Sequence, residues 1–265
     1  MVEEPDKPIL SVIMPVYNEE KNIKETLDAT IRTLSEAKIF YEIIVVNDGS
    51  KDSSLETIKE FSGKIIIESY TPNKGKGYAL KQGAMIANGT YMAFYDSDLN
   101  IEPRYLIKYL KFIRTTKNDI VIGSKRVKGS KIEFPLTRNI LSILYHLFAK
   151  ILLRLPVMDS QVGLKIFNAD ALKKILPNIT VNHYAFDPEL LSIARNFNYS
   201  IAELPIEVKI DQAQSNINIK AVEKMFVDTF RIYLRHSQNR IIRRFFNLKL
   251  YQNKADESTA YLKIP

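Results

Sequence analysis

The regular alternation of short apolar runs with helical segments in the first half of the chain constrains the fold more than any other feature. The apolar runs predict β-strands at residues 9–14, 41–46, 65–68, 91–95 and 119–123. The helical period between them predicts helices at residues 19–37, 53–61, 77–87 and 103–116. Continuous apolar strands separated by helices are typical of a mostly parallel sheet covered on both faces. The sequence therefore predicts a Rossmann-like α/β fold.

Polar residues follow three of the predicted strands. Because ligands of such sheets bind outside the carboxyl ends of the strands, we expect residues 17–19, 48–50 and 96–98 to share one rim. Asp96 and Asp98 are two positions apart, so in an extended segment their side chains point the same way. Their carboxylates suit Mg²⁺ or Mn²⁺, which also takes phosphate oxygens from a substrate.

A second interpretation of these acids is purely structural. Asp98 or Asn100 would cap the helix predicted to begin near Pro103, and Asp48 would form a turn before the helix at Ser53. Taken in isolation, the D-x-D pattern favours this interpretation. The presence of several polar strand ends on one rim favours a ligand site instead.

A glycine-rich turn, NKGKGYAL, follows the third predicted strand. It places Lys74 and Lys76 at a helix N-terminus, where lysines and exposed backbone N–H groups suit a phosphate. The spacing is not that of a P-loop. The first strand–helix turn, PVYNEE, also lacks the G-x-G-x-x-G pattern, which disfavours an NAD enzyme.

Charge and composition narrow the class of partner. The net charge of +8 and the isoelectric point near 9.3 point to anionic partners: phosphorylated substrates, nucleic acid or an anionic membrane surface. The chain contains no cysteine, which excludes disulfides, thiolate zinc sites and cysteine nucleophiles. The acidic start, MVEEPDKP, predicts no signal peptide, and no apolar run is long enough to predict a transmembrane helix.

The second half contains two unusual helical segments. Residues 135–157 are apolar except for a polar stripe at Ser142, His146, Lys150 and Arg154. This pattern fits either a core helix with a thin exposed edge or a helix lying in a membrane interface. Residues 221–250 interleave basic and aromatic side chains, which favours a membrane-surface role over a merely solvated helix.

Several of these motifs together resemble a known family. SVIMPVYNEEKNI, EIIVVNDGSKDSS, NKGKGYALKQGAMIANGTYMAFYDSDL and DIVIGSKR, in this order, resemble the family 2 glycosyltransferases, which have the GT-A fold. MDSQVGLKIF at residues 158–167 and HYAFDPELL at residues 183–191 are similar to motifs of the dolichyl- or polyprenyl-phosphate sugar synthase branch. The resemblance runs from about residue 9 to residue 210.

The resemblance implies roles for particular residues. The expected nucleotide-sugar site consists of Pro15, Tyr17, Glu19, Asp48, Lys76, Asp96, Asp98, Asp159 and Gln161. Within it, Asp48 would contact the base, Asp96 and Asp98 would bind the divalent ion, and Asp159 and Gln161 would lie near the sugar. The phosphates of donor or acceptor would contact Lys125, Arg126 and Arg138.

The expected activity is metal-dependent, inverting transfer of a hexose from a nucleotide diphosphate sugar to dolichyl or polyprenyl phosphate. The NKGKGYAL turn resembles the dolichyl-phosphate glucose type more than the mannose type, and this resemblance favours UDP-glucose over GDP-mannose. A lipid phosphate is already anionic near neutral pH, with a second pKa of about 6, so no dedicated base is needed.

Two alternatives stay open at this stage. The first is a family 2 transferase acting on a sugar hydroxyl, with Asp187 or Glu189 as the base; otherwise Asp187 would be a helix N-cap. The second is a basic membrane- or nucleic-acid-binding protein that retains the fold without catalysis, although nucleic acid is the disfavoured partner. We expect a catalytic domain at residues 1–210 and a basic amphipathic helical extension at residues 211–265, with peripheral attachment to the cytoplasmic face of a membrane.

Overall fold

The computed structural model describes residues 7–132, 136–209 and 219–236, and within these ranges the side chains of 7–131, 143–209 and 222–235. The strands are β1 (Leu10–Val16), β2 (Tyr41–Asp48), β3 (Ile66–Tyr70), β4 (Tyr91–Tyr95), β5 (Ile120–Ser124), β6 (Lys131–Ile132), β7 (Leu164–Asn168), β8 (Ile201–Pro205) and β9 (Glu207–Val208). The α-helices are α1 (Ile23–Glu36), α2 (Ser54–Lys59), α3 (Lys76–Ile86), α4 (Arg104–Thr116), α5 (Leu136–Leu153), α6 (Ala169–Ile175), α7 (Phe186–Asn196) and α8 (Ile219–His236).

A seven-stranded sheet in the order β3-β2-β1-β4-β7-β5-β8 forms the centre of the molecule. β1 pairs in parallel with β2 and β4, β2 with β3, and β5 with β8. β7 runs antiparallel between β4 and β5, with Lys165 opposite both Phe94 and Ile122. The predicted mostly parallel α/β sheet is therefore confirmed. The antiparallel strand was not predicted, because residues 158–167 were interpreted only as a motif.

The predicted elements of the first half are confirmed, with shifted ends. The first helix begins at Ile23 rather than at residue 19, because Glu19 accepts N–H bonds from Asn22 and Ile23 and forms a turn. The long fifth helix ends at Leu153 rather than at residue 157. Arg154 adopts a left-handed conformation with φ 51°, which breaks the helix there.

Alternate residues of the central strands enter two separate cores. Ile13 and Phe94 point to the layer formed by α3, α5, α6, α7 and α8. Val12, Met14 and Ala93 point to the layer formed by α1, α2 and α4. This alternation, with both faces covered, is why the strands read as continuous apolar runs in the sequence.

The last described helix, α8, packs onto the rest of the molecule. The hydroxyls of Tyr145 in α5 and Thr229 in α8 are 2.9 Å apart and buried. The ring of Tyr145 also meets Phe226 edge-on at 5.3 Å, and Ile232 is completely buried. Of the predicted extension at 211–265, only residues 219–236 lie within the described structure, so its extent stays a prediction.

The helix at 136–153 differs from a core helix with an exposed polar edge. Four apolar side chains are exposed on α5: Ile143, Leu144, Leu147 and Ile151. His146, from the predicted polar stripe, is instead buried. The core-helix interpretation is confirmed for Tyr145, Ala149 and Leu153, which are buried, but its exposed polar edge is wrong at His146. The membrane-interface interpretation stays a prediction. Across the described residues, every helix is too short or too polar to span a bilayer.

Candidate functional site

Most of the predicted nucleotide-sugar residues line a single cleft at the carboxyl ends of β1, β2 and β4. The cleft has a volume of about 360 Å³. Its predicted members are Pro15, Tyr17, Glu19, Asp48, Lys76, Asp96 and Asp98. The other residues that line the cleft, none of them predicted from the sequence, are Val16, Asn73, Gly75, Ser97, His183 and Tyr184. The cleft therefore lies where the rule that ligands bind at carboxyl strand ends predicts it, and its use as a nucleotide-sugar site stays a prediction.

Asp48 fixes the turn that follows β3. Its buried carboxylate accepts hydrogen bonds from the Asn73 side chain at 2.8 Å and from the backbone N–H groups of Lys74 and Gly75 at 2.7 and 2.9 Å. Three donors on one carboxylate hold the segment that leads into α3. This role was not foreseen; the base contact expected of Asp48 stays a prediction.

Asn182 and His183, on the far side of the cleft, also contact this turn. Gly75 has φ +100°, and a Cβ there would stand 2.4 Å from Nδ1 of His183. The backbone N–H of Gly77 donates to the carbonyl of Asn182 at 2.8 Å. The expectation that these amides are exposed to bind phosphate is therefore wrong for residues 74, 75 and 77. What this turn offers the cleft is the ammonium group of Lys76.

The two acids after β4 make different contacts. Asp96 Oδ1 lies 2.5 Å from Lys76 Nζ, and the Asp96 backbone N–H donates to the Gly163 carbonyl at 3.0 Å. Asp98 accepts bonds from the backbone N–H of Asn100 at 3.2 Å and from its side-chain amide at 2.5 Å. Asp98 thus forms a local turn with Asn100 and also lines the cleft. It does not cap α4, whose N-terminus has no side-chain cap.

The cleft holds an excess of negative charge. Partial burial raises the pKa of Asp98, and the adjacent Asp96 raises it further. Burial also raises the pKa of Glu19, against a lowering by its bond from Asn22, and both aspartates add to the rise. Burial works to lower the pKa of Lys76, but Asp96 and Asp187 outweigh it and raise that pKa. Among the described residues that line the cleft, Lys76 is the only lysine or arginine, and Glu19, Asp48, Asp96 and Asp98 carry carboxylates.

The carboxylates of Asp96 and Asp98 suit a divalent cation whose other ligands come from a substrate and water. Their oxygens are hard donors of the type that Mg²⁺ and Mn²⁺ prefer. Within the described ranges, three or more His, Cys, Asp or Glu side chains never come together in a way that could hold a metal ion. Two carboxylates alone make an incomplete site, so the remaining ligands would be substrate oxygens and water.

A second polar cluster lies at the end of β5. The backbone N–H of Lys125 donates to Asp159 Oδ2 at 3.1 Å, and its ammonium lies 3.8 Å from the same oxygen. Asp159 is buried, and its own backbone N–H donates to Glu203 at 3.0 Å. Gln161 donates to the Tyr184 carbonyl at 3.5 Å, which links this region to the cleft. Lys125, Arg126, Asp159 and Gln161 are not among the residues that line the cleft.

His146 lies near this cluster, whereas the position of the Arg138 side chain is not described. Arg138 lies in the first turn of α5, but its side chain is outside the described residues. His146 is buried, and burial followed by the charge of Arg126 lowers its pKa to about 4. Both ring nitrogens of His146 are buried without a hydrogen-bond partner in the part of the chain that the structure describes. The sequence offered only its place in the polar stripe as a signal.

The two candidate bases have structural partners. Asp187 Oδ1 lies 2.8 Å from Nζ of the buried Lys165. The N-cap role expected of Asp187 is wrong, because α7 begins one residue earlier, after Ala185. Glu189 is completely buried and accepts bonds from the backbone N–H groups of Thr180 and Val181. Neither carboxylate lines the cleft.

Known proteins resemble this chain over most of its length. The family model named "Glycosyl transferase family 2" matches residues 11–176. The dolichyl-phosphate beta-glucosyltransferase ALG5D of Trichomonas vaginalis is 33% identical over 243 residues, covering 86% of this chain and 74% of that protein. The dolichyl-phosphate beta-glucosyltransferase of Dictyostelium discoideum is 32% identical over 248 residues, covering 87% of this chain and 76% of that protein.

Solved structures share the fold at lower identity. Glucosyl-3-phosphoglycerate synthase from Mycobacterium tuberculosis, in complex with UDP, has a TM-score of 0.65 at 20% identity, over 86% of this chain and 79% of that one. The same enzyme in complex with Mn²⁺, UDP-glucose and phosphoglyceric acid has a TM-score of 0.64 at 20% identity, with the same coverage. These likenesses confirm the GT-A fold.

Proposed function

Because the chain belongs to glycosyl transferase family 2, we propose that it moves glucose from UDP-glucose to the phosphate of a dolichyl or polyprenyl lipid. The observation that carries this proposal is the cleft at the strand ends, where Asp48, Asp96, Asp98 and Lys76 meet. Two of the relatives described above are named dolichyl-phosphate beta-glucosyltransferases, which supports glucose as the sugar and a lipid phosphate as the acceptor. The solved relative that holds Mn²⁺ and UDP-glucose supports the donor.

Asp96 and Asp98 would hold a Mg²⁺ or Mn²⁺ ion with the donor diphosphate. That ion would offset the charge that develops on the leaving diphosphate. The ammonium of Lys76, at the same end of the cleft, would bind a phosphate oxygen. Asp48 would keep the Lys76 segment in position and contribute to the nucleotide pocket, together with Pro15, Tyr17 and Glu19.

The acceptor phosphate would lie towards the cluster at the end of β5. Lys125 and Arg126 supply positive charge there, Arg138 would add to it, and Asp159 orients Lys125 by the contacts described above. A phosphate oxygen with a pKa of about 6 is anionic at neutral pH and attacks without a base. This agrees with the engagement of Asp187 and Glu189 elsewhere, which disfavours transfer to a sugar hydroxyl.

The lipid acceptor requires access to a bilayer, and we place it at the exposed apolar face of α5 and α8. The exposed apolar side chains are Ile143, Leu144, Leu147 and Ile151 on α5, and Val227, Phe230 and Tyr233 on α8. We take them together as this face. The exposed Lys224 and Arg231 lie on α8, and the exposed Arg154 directly follows α5; all three suit anionic headgroups. Peripheral attachment to the cytoplasmic leaflet through this face is part of the proposal.

Transfer to a lipid phosphate is the direct test. The protein is incubated with Mg²⁺ or Mn²⁺, a polyprenyl phosphate in detergent, and UDP-glucose or GDP-mannose, and glycolipid product is measured. We expect product from UDP-glucose, and its loss with EDTA or in Asp98→Ala. Absence of product from every donor would refute the proposal; product that survives both EDTA and Asp98→Ala would refute its metal component.

A further inference from the structure

The ion pair between Lys76 and Asp96 occupies the place where a metal ion is expected. Nζ of Lys76 is 2.5 Å from Oδ1 of Asp96. A divalent ion such as Mg²⁺ binds a carboxylate oxygen at about 2.0–2.1 Å. A metal on the same oxygen would therefore stand against the ammonium group, and two positive charges that close repel each other strongly. Lys76 and the metal cannot share Oδ1 of Asp96.

Both partners of the pair are held by their backbones. The residue before Lys76 donates its N–H to Asp48, and the residue after it donates to Asn182. Asp96 donates its N–H to Gly163, where even an added Cβ would stand 2.2 Å from Asp96 Oδ2. The backbone on each side is therefore fixed, and only the flexible end of the lysine side chain can move away.

The charges around Lys76 favour the pair when the cleft contains no ligand. The ammonium of Lys76 lies 2.5 Å from Asp96 Oδ1, and the carboxylate of Asp98 lines the same cleft. Without that ammonium, Asp96 and Asp98 would face each other with no opposite charge between them. The lysine thus supplies the positive charge that the two neighbouring carboxylates require.

We propose that Lys76 is the resident counter-ion of Asp96, and that a metal ion binds tightly only when a donor diphosphate draws the lysine away. The inference rests on the proposed metal and donor site and adds an order of events to it. The diphosphate offers Lys76 a new anionic partner, and Asp96 becomes available to the metal at the same moment. Metal and donor binding are therefore coupled, and by linkage each strengthens the other equally.

Binding of Mn²⁺, measured by the electron paramagnetic resonance signal of the free ion, tests this without catalysis. Wild type, Lys76→Met and Lys76→Arg are titrated with Mn²⁺, each with and without UDP. We expect Lys76→Met to bind Mn²⁺ alone roughly tenfold more tightly than wild type, a change of about 1.4 kcal/mol. UDP should strengthen Mn²⁺ binding strongly in wild type and only weakly in Lys76→Met.

Two variants control for charge and folding. Lys59→Met removes one positive charge from an exposed position on α2 and should bind Mn²⁺ like wild type. Lys76→Arg keeps a cation at the site and should bind Mn²⁺ alone as weakly as wild type. Thermal unfolding of each variant checks the fold, and Lys76→Gln replaces Lys76→Met if the latter is not folded.

The outcomes separate this inference from the proposed function. If wild type and Lys76→Met bind Mn²⁺ alone with equal affinity, the inference is wrong. If UDP still strengthens Mn²⁺ binding in that case, the proposed metal site stands. Lack of Mn²⁺ binding by both proteins, even with UDP, would overturn the metal site and the inference with it.

Discussion

At the scale of single residues, Asp98 links the charge of the cleft to the stability of the protein. Its pKa is raised above the ordinary value of 3.8, first by burial and then by Asp96. A carboxyl group with a raised pKa binds its proton more tightly in the folded state than in the unfolded state. Its contribution to folding is therefore greatest at low pH and is lost as pH rises through the folded-state pKa.

Asp98→Asn should consequently stabilise the metal-free protein at pH 7, because the amide has no charge to bury. The gain should shrink as the pH is lowered towards 3.8, where wild type is itself protonated. Urea unfolding of both proteins across this pH range, with EDTA present, measures the difference. A gain that does not change with pH would contradict this account.

Removing the charge of Asp48 should destabilise the protein, in contrast to the same change at Asp98. Asp48→Asn leaves a neutral group facing three donors, so we expect a loss of about 1–3 kcal/mol in the free energy of unfolding. UDP should also bind more weakly, since the segment carrying Lys76 is no longer fixed. Urea unfolding and calorimetric UDP titration measure the two effects. Asp28→Asn, at an exposed position on α1, should change neither.

The sequence could predict some cleft residues and not others for a physical reason. Asp48, Asp96 and Asp98 directly follow strands, so the geometry of a parallel sheet places them on one rim. His183 and Tyr184 precede α7 and reach the cleft only through long-range packing, such as the close approach of His183 to Gly75. No periodicity or strand end marks such residues, so contact with the cleft was not predictable for them.

At the scale of elements, the segment at residues 179–184 connects the cleft to the C-terminal helix. Glu189 binds the backbone of this segment at Thr180 and Val181, and its Oε1 lies 3.6 Å from Nη1 of Arg235 in α8. Lys81 in α3 donates to the Ile179 carbonyl at 2.9 Å. The wall formed by His183 and Tyr184 thus depends on groups from three helices.

Glu189→Gln should therefore raise the KM for UDP-glucose more than it lowers kcat. The variant loses the charge that binds two N–H groups, and bonds to charged groups contribute about 1.5–3 kcal/mol each. We expect a KM increase of roughly tenfold, measured by steady-state kinetics. Glu223→Gln, an exposed glutamate on α8, serves as the control. An equal fall in kcat with unchanged KM would contradict a role in positioning the donor wall.

The apolar face of α5 and α8 leads to a prediction about lipid surfaces. Ile151 is 69% exposed on this face, whereas Met85 is 75% exposed on α3. Ile151→Glu should weaken binding to vesicles containing phosphatidylserine by roughly tenfold, because burial of an isoleucine contributes about 1.5–3 kcal/mol. Met85→Glu adds the same charge elsewhere and should bind like wild type. Co-sedimentation measures both, and equal weakening would refute the assignment of this face.

At the scale of the whole molecule, the sequence predicted the layers better than the strand order. Apolar runs and helical periods determine which faces are buried, so the α/β class followed from local pattern alone. The position of β7 between β4 and β5 depends on contacts between residues far apart in the chain. A strand of five residues is too short for its apolar pattern to indicate which strands it pairs with.

The position of β7 also has a consequence for synthesis at the ribosome. β1 to β4 can pair as they emerge, but β5, ending at Ser124, has no neighbour until β7 appears at Leu164. Until then the nascent chain exposes an open edge of β4, which is free to pair with other chains. A chain that stops before Leu164 should therefore aggregate rather than form a smaller version of this sheet.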